Sequence, residues 1–133
     1  MSKRILQSAL GIVGLILLVV GFLGLAYGVA DDYYAIDIKS TIQGNIILDS
    51  NLRFSGGVWC GMGIILFWII PSVEKQKVVF RSLCLMIFIG GIGRVLSMMT
   101  LGSPSALFIL FTALEVFFPL LIPWQNTLIP TEK

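Results

Sequence analysis

Residues 5–30 read ILQSALGIVGLILLVVGFLGLAYGVA, an apolar run whose only polar side chains, Gln7 and Ser8, lie near its start. About 20 apolar residues are enough for a helix to cross the roughly 30 Å hydrocarbon core of a bilayer. Three further runs meet this requirement, at residues 52–70, 78–100 and 105–124. Each run is apolar around its whole circumference and lacks the period-two alternation of barrel strands. The sequence therefore predicts an all-α fold, an antiparallel bundle of four transmembrane helices forming one domain over residues 1–133.

The composition excludes a water-soluble globular protein. The 133 residues are 57% hydrophobic and 12% charged, whereas a typical soluble domain carries about 25% charged residues. The net charge of +2 is too small for nucleic-acid binding. The chain has no His, the commonest metal ligand and general base. Its two cysteines, Cys60 and Cys84, are expected at different depths of the membrane. We therefore expect no metal site, no cofactor and no catalytic group of the usual kinds.

The distribution of Lys and Arg predicts the orientation. Cytoplasmic ends of membrane helices carry an excess of these residues. One predicted side has the larger share: Lys3, Arg4, Lys75, Lys77, Arg81 and Lys133. Lys39 and Arg53 fall on the other side. Both termini are therefore expected in the cytoplasm, with one outer loop from Asp31 to Asn51 between the first two helices.

Ionisable residues within membrane spans are costly and need partners. At about 1.5 Å per residue, Arg94 lies roughly 9 Å and Glu115 roughly 15 Å below the outer boundary. Because helical side chains tilt toward their own N-terminus, the two are expected to approach and pair. Ser97 and Thr112 lie three residues away on the same helix faces, and Arg53 enters from the outer end of the second helix. The cluster either fixes helix register or lines an outward-opening pocket for a lipid headgroup, a small polar ligand or a proton.

Two backbone features accompany these charges. Pro119 has no N–H for the carbonyl of Glu115, so that carbonyl is expected to be free to accept from Arg94 or water. Asp49, Ser50 and Asn51 are residue types that cap helices, and they are expected just before the second span.

Glycines at four-residue spacing allow helices to approach closely. Gly24 and Gly28 have this spacing in the first span, as do Gly57 and Gly61 in the second, and residues 90–91 are a glycine pair in the third. These positions predict helix packing inside the bundle or, alternatively, docking to another integral membrane protein. Gly90 and Gly91 belong to the same set.

Several segments together resemble the DUF4345 family. They read NLRFSGG at residues 51–57, GGIGRVLS at 90–97 and GSP at 102–104, followed by Glu115 with Pro119. The resemblance implies a four-helix membrane protein from a bacterium, and hence a bacterial cytoplasmic (inner) membrane location. It also implies that Arg53, Arg94 and Glu115 belong to one shared feature, and it implies no particular activity.

Three functions are compatible with these features. The first is a small accessory or scaffold subunit of a larger complex, in contact with membrane lipids and another integral membrane protein. The alternative is a component that binds or transports a lipid or small polar ligand through an outward-opening Arg/Glu pocket. A third is an intramembrane enzyme using Glu115 as acid or base, which the scarcity of catalytic groups disfavours.

Overall fold

The computed structural model describes residues 3–28 and 46–128. Within these residues five α-helices follow one another: α1 (Lys3–Tyr27), α2 (Ile46–Ile69), α3 (Lys77–Leu101), α4 (Ala106–Phe117) and α5 (Leu121–Asn126). Short 3-10 turns cover Ile70–Ser72 and Phe118–Leu120. Four stretches are long and apolar enough to span a membrane: Lys3–Tyr27, Ile46–Ser72, Lys77–Leu101 and Ala106–Asn126. The prediction of an all-α protein with four membrane-spanning lengths is confirmed.

The second helix starts earlier than predicted. It begins at Ile46 and not at Leu52, so residues 49–51 lie inside the helix and the prediction that they precede it was wrong. Asp49 falls in the first turn, where the helix dipole favours a carboxylate, and its Oδ2 lies 2.8 Å from Nε of Arg53 one turn later. These two interactions favour continuing the helix through a polar stretch. Residues 31–45, the rest of the predicted outer loop, lie outside the described residues, as do residues 29–30 at the end of the predicted first span.

The chain divides into two compact units, residues 9–68 and residues 1–8 with 69–133. In the first, α1 and α2 touch backbone to backbone. A Cβ atom on Gly56 would lie 2.6 Å from the carbonyl oxygen of Gly21, and one on Gly21 would lie 2.8 Å from that of Gly56. Gly24 faces the same crossing, because its Cβ would lie 3.5 Å from Cα of Gly56. Only glycine fits at Gly21 and Gly56 without moving the helices apart.

Of the other glycines predicted to pack in this unit, two have open surroundings, whereas Gly28 lies tight against α2, where a Cβ would collide with Oδ1 of Asp49. A Cβ on Gly57 would meet only Cδ1 of Leu25 at 3.9 Å, and one on Gly61 would meet nothing within 4 Å. Gly28 ends α1 with a φ of +57° and donates its N–H to the Gly24 carbonyl at 3.0 Å, the left-handed glycine cap common at helix ends. The close face of α2 is therefore the one that carries Gly56.

In the second unit, α4 runs back along α3. Phe80, Leu83 and Ile87 of α3 are buried, as is Phe118 in the turn that follows α4. Nε2 of Gln125, a fully buried residue, donates to the Val73 carbonyl at 2.6 Å. This bond ties the segment after α2 to α5.

A salt bridge closes the same end of this unit. Nζ of Lys3 lies 2.8 Å from Oε1 of Glu74, and Nε2 of Gln7 donates to the Ile70 carbonyl at 2.9 Å. The hydrogen bond from Lys3 holds the pKa of Glu74 below its ordinary value, against the opposing effect of burial. The first two turns of α1 are thereby attached to the 70–74 segment.

Candidate functional site

The site starts from an ion pair between α3 and α4. Nε of Arg94 lies 2.9 Å from Oε2 of Glu115, and the Glu115 side chain is only 9% exposed, against 31% for Arg94. No described residue donates a well-aligned hydrogen bond to that buried Oε2 atom. The contact therefore depends chiefly on the attraction of opposite charges at short range. The two residues pair as their predicted depths led us to expect.

A glycine one turn before Arg94 makes this approach possible. A Cβ atom on Gly91 would lie 3.0 Å from Cβ of Glu115 and 3.1 Å from the backbone N of Val116. Such distances are tighter than ordinary van der Waals contact, so α4 can come this close to α3 only because the side chain is absent. Gly90, next to it, would meet nothing within 4 Å with a Cβ added.

A second residue of α4 holds the guanidinium of Arg94. Cζ of Arg94 lies 5.6 Å from the centre of the Phe108 ring, within the range of cation–π attraction. Phe108 and Glu115 are two helical turns apart, so α4 contacts the guanidinium at two points. Thr112 lies between them, is buried, and donates Oγ1–H to the Phe108 carbonyl at 2.8 Å.

A cavity of about 380 Å³ opens beside this arrangement. Arg94, Ser97 and Thr112 contribute to its wall, together with Phe108 and the turn at residues 102–104 that joins α3 to α4. Three of the predicted site residues thus meet at one cavity, and Glu115 lies behind Arg94. The ion pair engages only Nε of Arg94, so the four N–H donors on its two Nη atoms are not used by Glu115.

Arg53 has a different place. It lies in the unit of residues 9–68, where Nη1 donates to the carbonyls of Leu25 at 2.9 Å and Ala26 at 2.8 Å. Nη2 donates to the Tyr27 carbonyl at 3.4 Å, and Nε to Asp49. The last carbonyls of a helix have no partner within it, and here a side chain from α2 supplies the donors. Arg53 is thus a cap for α1, an assignment that sequence reasoning missed because its acceptors are backbone atoms.

The expectation about Pro119 was wrong. The chain tightens into a 3-10 turn at Phe118–Leu120, and the N–H of Phe118 donates to the carbonyl of Glu115. A shorter-range bond thus replaces the one that proline removes. The Glu115 carbonyl is therefore engaged within its own segment.

Metal chemistry has no candidate ligand set in residues 3–28 and 46–128, where no group of three or more His, Cys, Asp or Glu side chains could hold an ion. Cys60 and Cys84 are free thiols.

Four helices of spanning length, with an ion pair and a cavity at one turn, define a multi-pass integral membrane protein. The chain belongs to the DUF4345 family, whose model, described as a domain of unknown function, matches residues 5–125. The resemblance seen in the sequence is thereby confirmed. Comparison with curated proteins and with solved structures found no match.

Proposed function

We propose that this membrane protein binds a ligand bearing an oxyanion, a phosphate or carboxylate, in the cavity at the α3–α4 turn. The observation that carries the proposal is the guanidinium of Arg94 in the cavity wall. Glu115 and Phe108 hold it, while its Nη donors are left for a ligand. Planar guanidinium groups bind two oxygens of one phosphate or carboxylate at once. Arg94 is the recognition group, and Glu115 is a positioning residue.

The cavity also supplies groups for neutral parts of a ligand. Ser97 and Ser103 line it with hydroxyls. The hydroxyl of Thr112 already donates to the Phe108 carbonyl, so toward a ligand it can only accept a hydrogen bond. Met98 and Leu101 add apolar surface. This mixture fits an amphiphilic or small polar molecule.

A thermal unfolding experiment tests the proposal. The protein, purified in a neutral maltoside detergent, is titrated with inorganic phosphate and, separately, with phosphatidylglycerol, with ionic strength matched by chloride. An oxyanion ligand raises the midpoint of the wild type and has a smaller effect on Arg94→Lys. Arg81→Lys is the matched control, because Arg81 is on the same helix and binds Asn126 instead. No Arg94-dependent shift with either probe would contradict the proposal.

The proposal includes an orientation. In an antiparallel four-helix bundle in a bacterial cytoplasmic membrane, both termini are cytoplasmic and the α3–α4 turn faces outward. Lys75 lies in the connection before α3 and Lys77 is the first residue of α3, whereas residues 102–105 carry no charge, which supports this orientation. A cysteine introduced at Ser103 should react in intact cells with a membrane-impermeant maleimide, and one at Gln76 should not. The reverse pattern would place the cavity on the cytoplasmic side.

A role as accessory subunit is a second candidate, and one observation favours it. Gly90 and Gly93 are exposed on α3, and a Cβ on either would meet nothing within 4 Å among the described residues. Small exposed residues let a second membrane helix come close. A partner that co-purifies with the wild type in mild detergent and is lost from Gly90→Leu would support this role. Equal recovery with both proteins would count against it.

A further inference from the structure

We propose that the ligand of the α3–α4 cavity is an intact phospholipid of the surrounding bilayer, bound through its singly charged phosphodiester. This inference rests on the proposed function and narrows it to one chemical class. Four features support it: the depth of the cavity, its apolar wall, the net charge of the ion pair and the three hydroxyl groups in the wall.

The cavity opens at the level of the lipid headgroups. The 25 residues of α3 extend roughly 37 Å at 1.5 Å per residue, against a hydrocarbon core of roughly 30 Å. The ends of the helix therefore reach the headgroup layer. The cavity extends from the turn at residues 102–104 down to Arg94, about 10 Å along the helix from Leu101. Because Arg94 lies at the lower end of the cavity, a phosphate reaches its guanidinium by entering the cavity from the headgroup layer.

The wall of the cavity continues into surface that suits acyl chains. Leu101, which lines the cavity, is 87% exposed, and Met99 and Leu107 beside the turn are also exposed. Phe108 adds its ring to the same wall. A water-soluble anion would leave this apolar surface unused, whereas an amphiphile bound at Arg94 would cover it. Apolar contact of this kind adds affinity in proportion to its area.

The charge of the pair selects among anions. Arg94 and Glu115 together carry no net charge, so an anion bound at Arg94 is also repelled by a carboxylate a few ångströms away. A phosphodiester has one negative charge, whereas a phosphomonoester or inorganic phosphate near neutral pH carries a second charge in part. That second charge is repelled by Glu115, and no second cationic side chain among the described residues of the wall offsets the repulsion. The site therefore favours a monoanion.

The hydroxyls distinguish a phosphodiester from a fatty-acid carboxylate. A carboxylate presents only two oxygens, and both lie at the guanidinium when it binds the two Nη atoms. A glycerophosphate presents more oxygens over a longer distance, so that Ser97 and Ser103 can donate to oxygens other than the two that Arg94 binds. Thr112 can accept from a headgroup hydroxyl. A lipid with a glycerol headgroup uses all three.

Direct binding measurements separate the lipid from other sources of the same chemistry. Native mass spectrometry of the protein in neutral detergent is recorded with four probes: phosphatidylglycerol with long acyl chains, its deacylated headgroup glycerophosphoglycerol, inorganic phosphate and oleate. We expect phosphatidylglycerol to bind and the other three to bind at least tenfold more weakly. Arg94→Lys keeps the positive charge opposite Glu115 but removes the planar guanidinium with its paired Nη donors. It should weaken phosphatidylglycerol binding roughly tenfold or more.

Two further variants keep the test decisive. Ser97→Leu fills the cavity from an exposed helix position without touching the ion pair, and it should reduce lipid binding if the cavity is the site. Arg81→Lys should leave binding unchanged. If phosphate or glycerophosphoglycerol binds as tightly as the lipid in an Arg94-dependent manner, the lipid inference fails and the proposed function stands. If oleate binds best, the phosphodiester assignment fails. If neither Arg94→Lys nor Ser97→Leu changes the binding of the lipid, or if no probe binds, the proposed oxyanion site and the phospholipid inference both fail.

Discussion

Replacing Arg53 with Met tests whether this residue is a structural cap or part of a ligand site. The change keeps an unbranched side chain but removes the donors to the carbonyls of Leu25, Ala26 and Tyr27. A hydrogen bond from a charged donor contributes about 1.5–3 kcal/mol to stability. Two of these contacts are short and share one nitrogen, and the third is weak at 3.4 Å. Because the Arg53 side chain is 43% exposed, water can replace part of what is lost. We therefore expect Arg53→Met to lower the free energy of unfolding by about 2 kcal/mol.

Unfolding in mixed micelles of a neutral detergent and sodium dodecyl sulfate measures this loss. Arg81→Met is the control, because to the described residues Arg81 makes one exposed hydrogen bond, to Oδ1 of Asn126, and its loss should cost little. Arg53→Lys should recover part of the loss, since an ammonium can still donate to one carbonyl. If Arg53→Met is as stable as the wild type but loses binding of phosphatidylglycerol, the assignment of Arg53 as a helix cap is refuted. It would then belong with the ligand-binding residues.

Two other perturbations test the packing and the electrostatics of the unit that contains the cavity. Gly91→Ala should destabilise the protein by about 1–3 kcal/mol and loosen the α3–α4 contact, because the new Cβ meets backbone and side chain of α4 at 3.0–3.1 Å. Gly90→Ala, at an open position, should be neutral or stabilising by up to about 1 kcal/mol, and equal effects at the two positions would contradict the packing argument. Lys3 lowers the pKa of Glu74 in the folded protein from its ordinary value of 4.5. The stabilisation from the Lys3–Glu74 pair is therefore fully present above pH 4.5, and it is lost as the pH falls through the pKa of Glu74 in the folded protein. Glu74→Gln should remove this acid-dependent component of the unfolding free energy, and identical pH profiles for the two proteins would show that the pair contributes nothing.

The sequence is sufficient for the spans and for the central ion pair, for a physical reason. Hydropathy gives the length of each apolar segment, and comparing that length with the thickness of the bilayer needs no knowledge of the three-dimensional fold. Arg94 and Glu115 are predictable because a charge in a membrane span must find an opposite charge at similar depth, and because helical side chains lean in a known direction. Ser97 and Thr112 follow from helical periodicity alone.

The rest depends on facts that the residue pattern does not contain. The helices are apolar on all sides, so periodicity does not tell which face of α2 meets α1, and the contact uses Gly56 and not Gly57 or Gly61. The partners of Arg53 are backbone carbonyls, which every residue has, so no side-chain pattern marks them. The carbonyl of Glu115 is engaged because the chain tightens after it, a local adjustment that the presence of Pro119 does not specify.

NMR signals of the Arg94 guanidinium report directly whether this group binds a phospholipid. Protein labelled with ¹⁵N-arginine is titrated with phosphatidylglycerol in neutral detergent, and the side-chain nitrogen signals are recorded by NMR, with Arg94 and Arg81 assigned from their Lys variants. We expect the Nη signals of Arg94 to shift with lipid concentration and saturate, while those of Arg81 stay in place. A saturating shift at Arg81 with none at Arg94, or no shift at either, would contradict it.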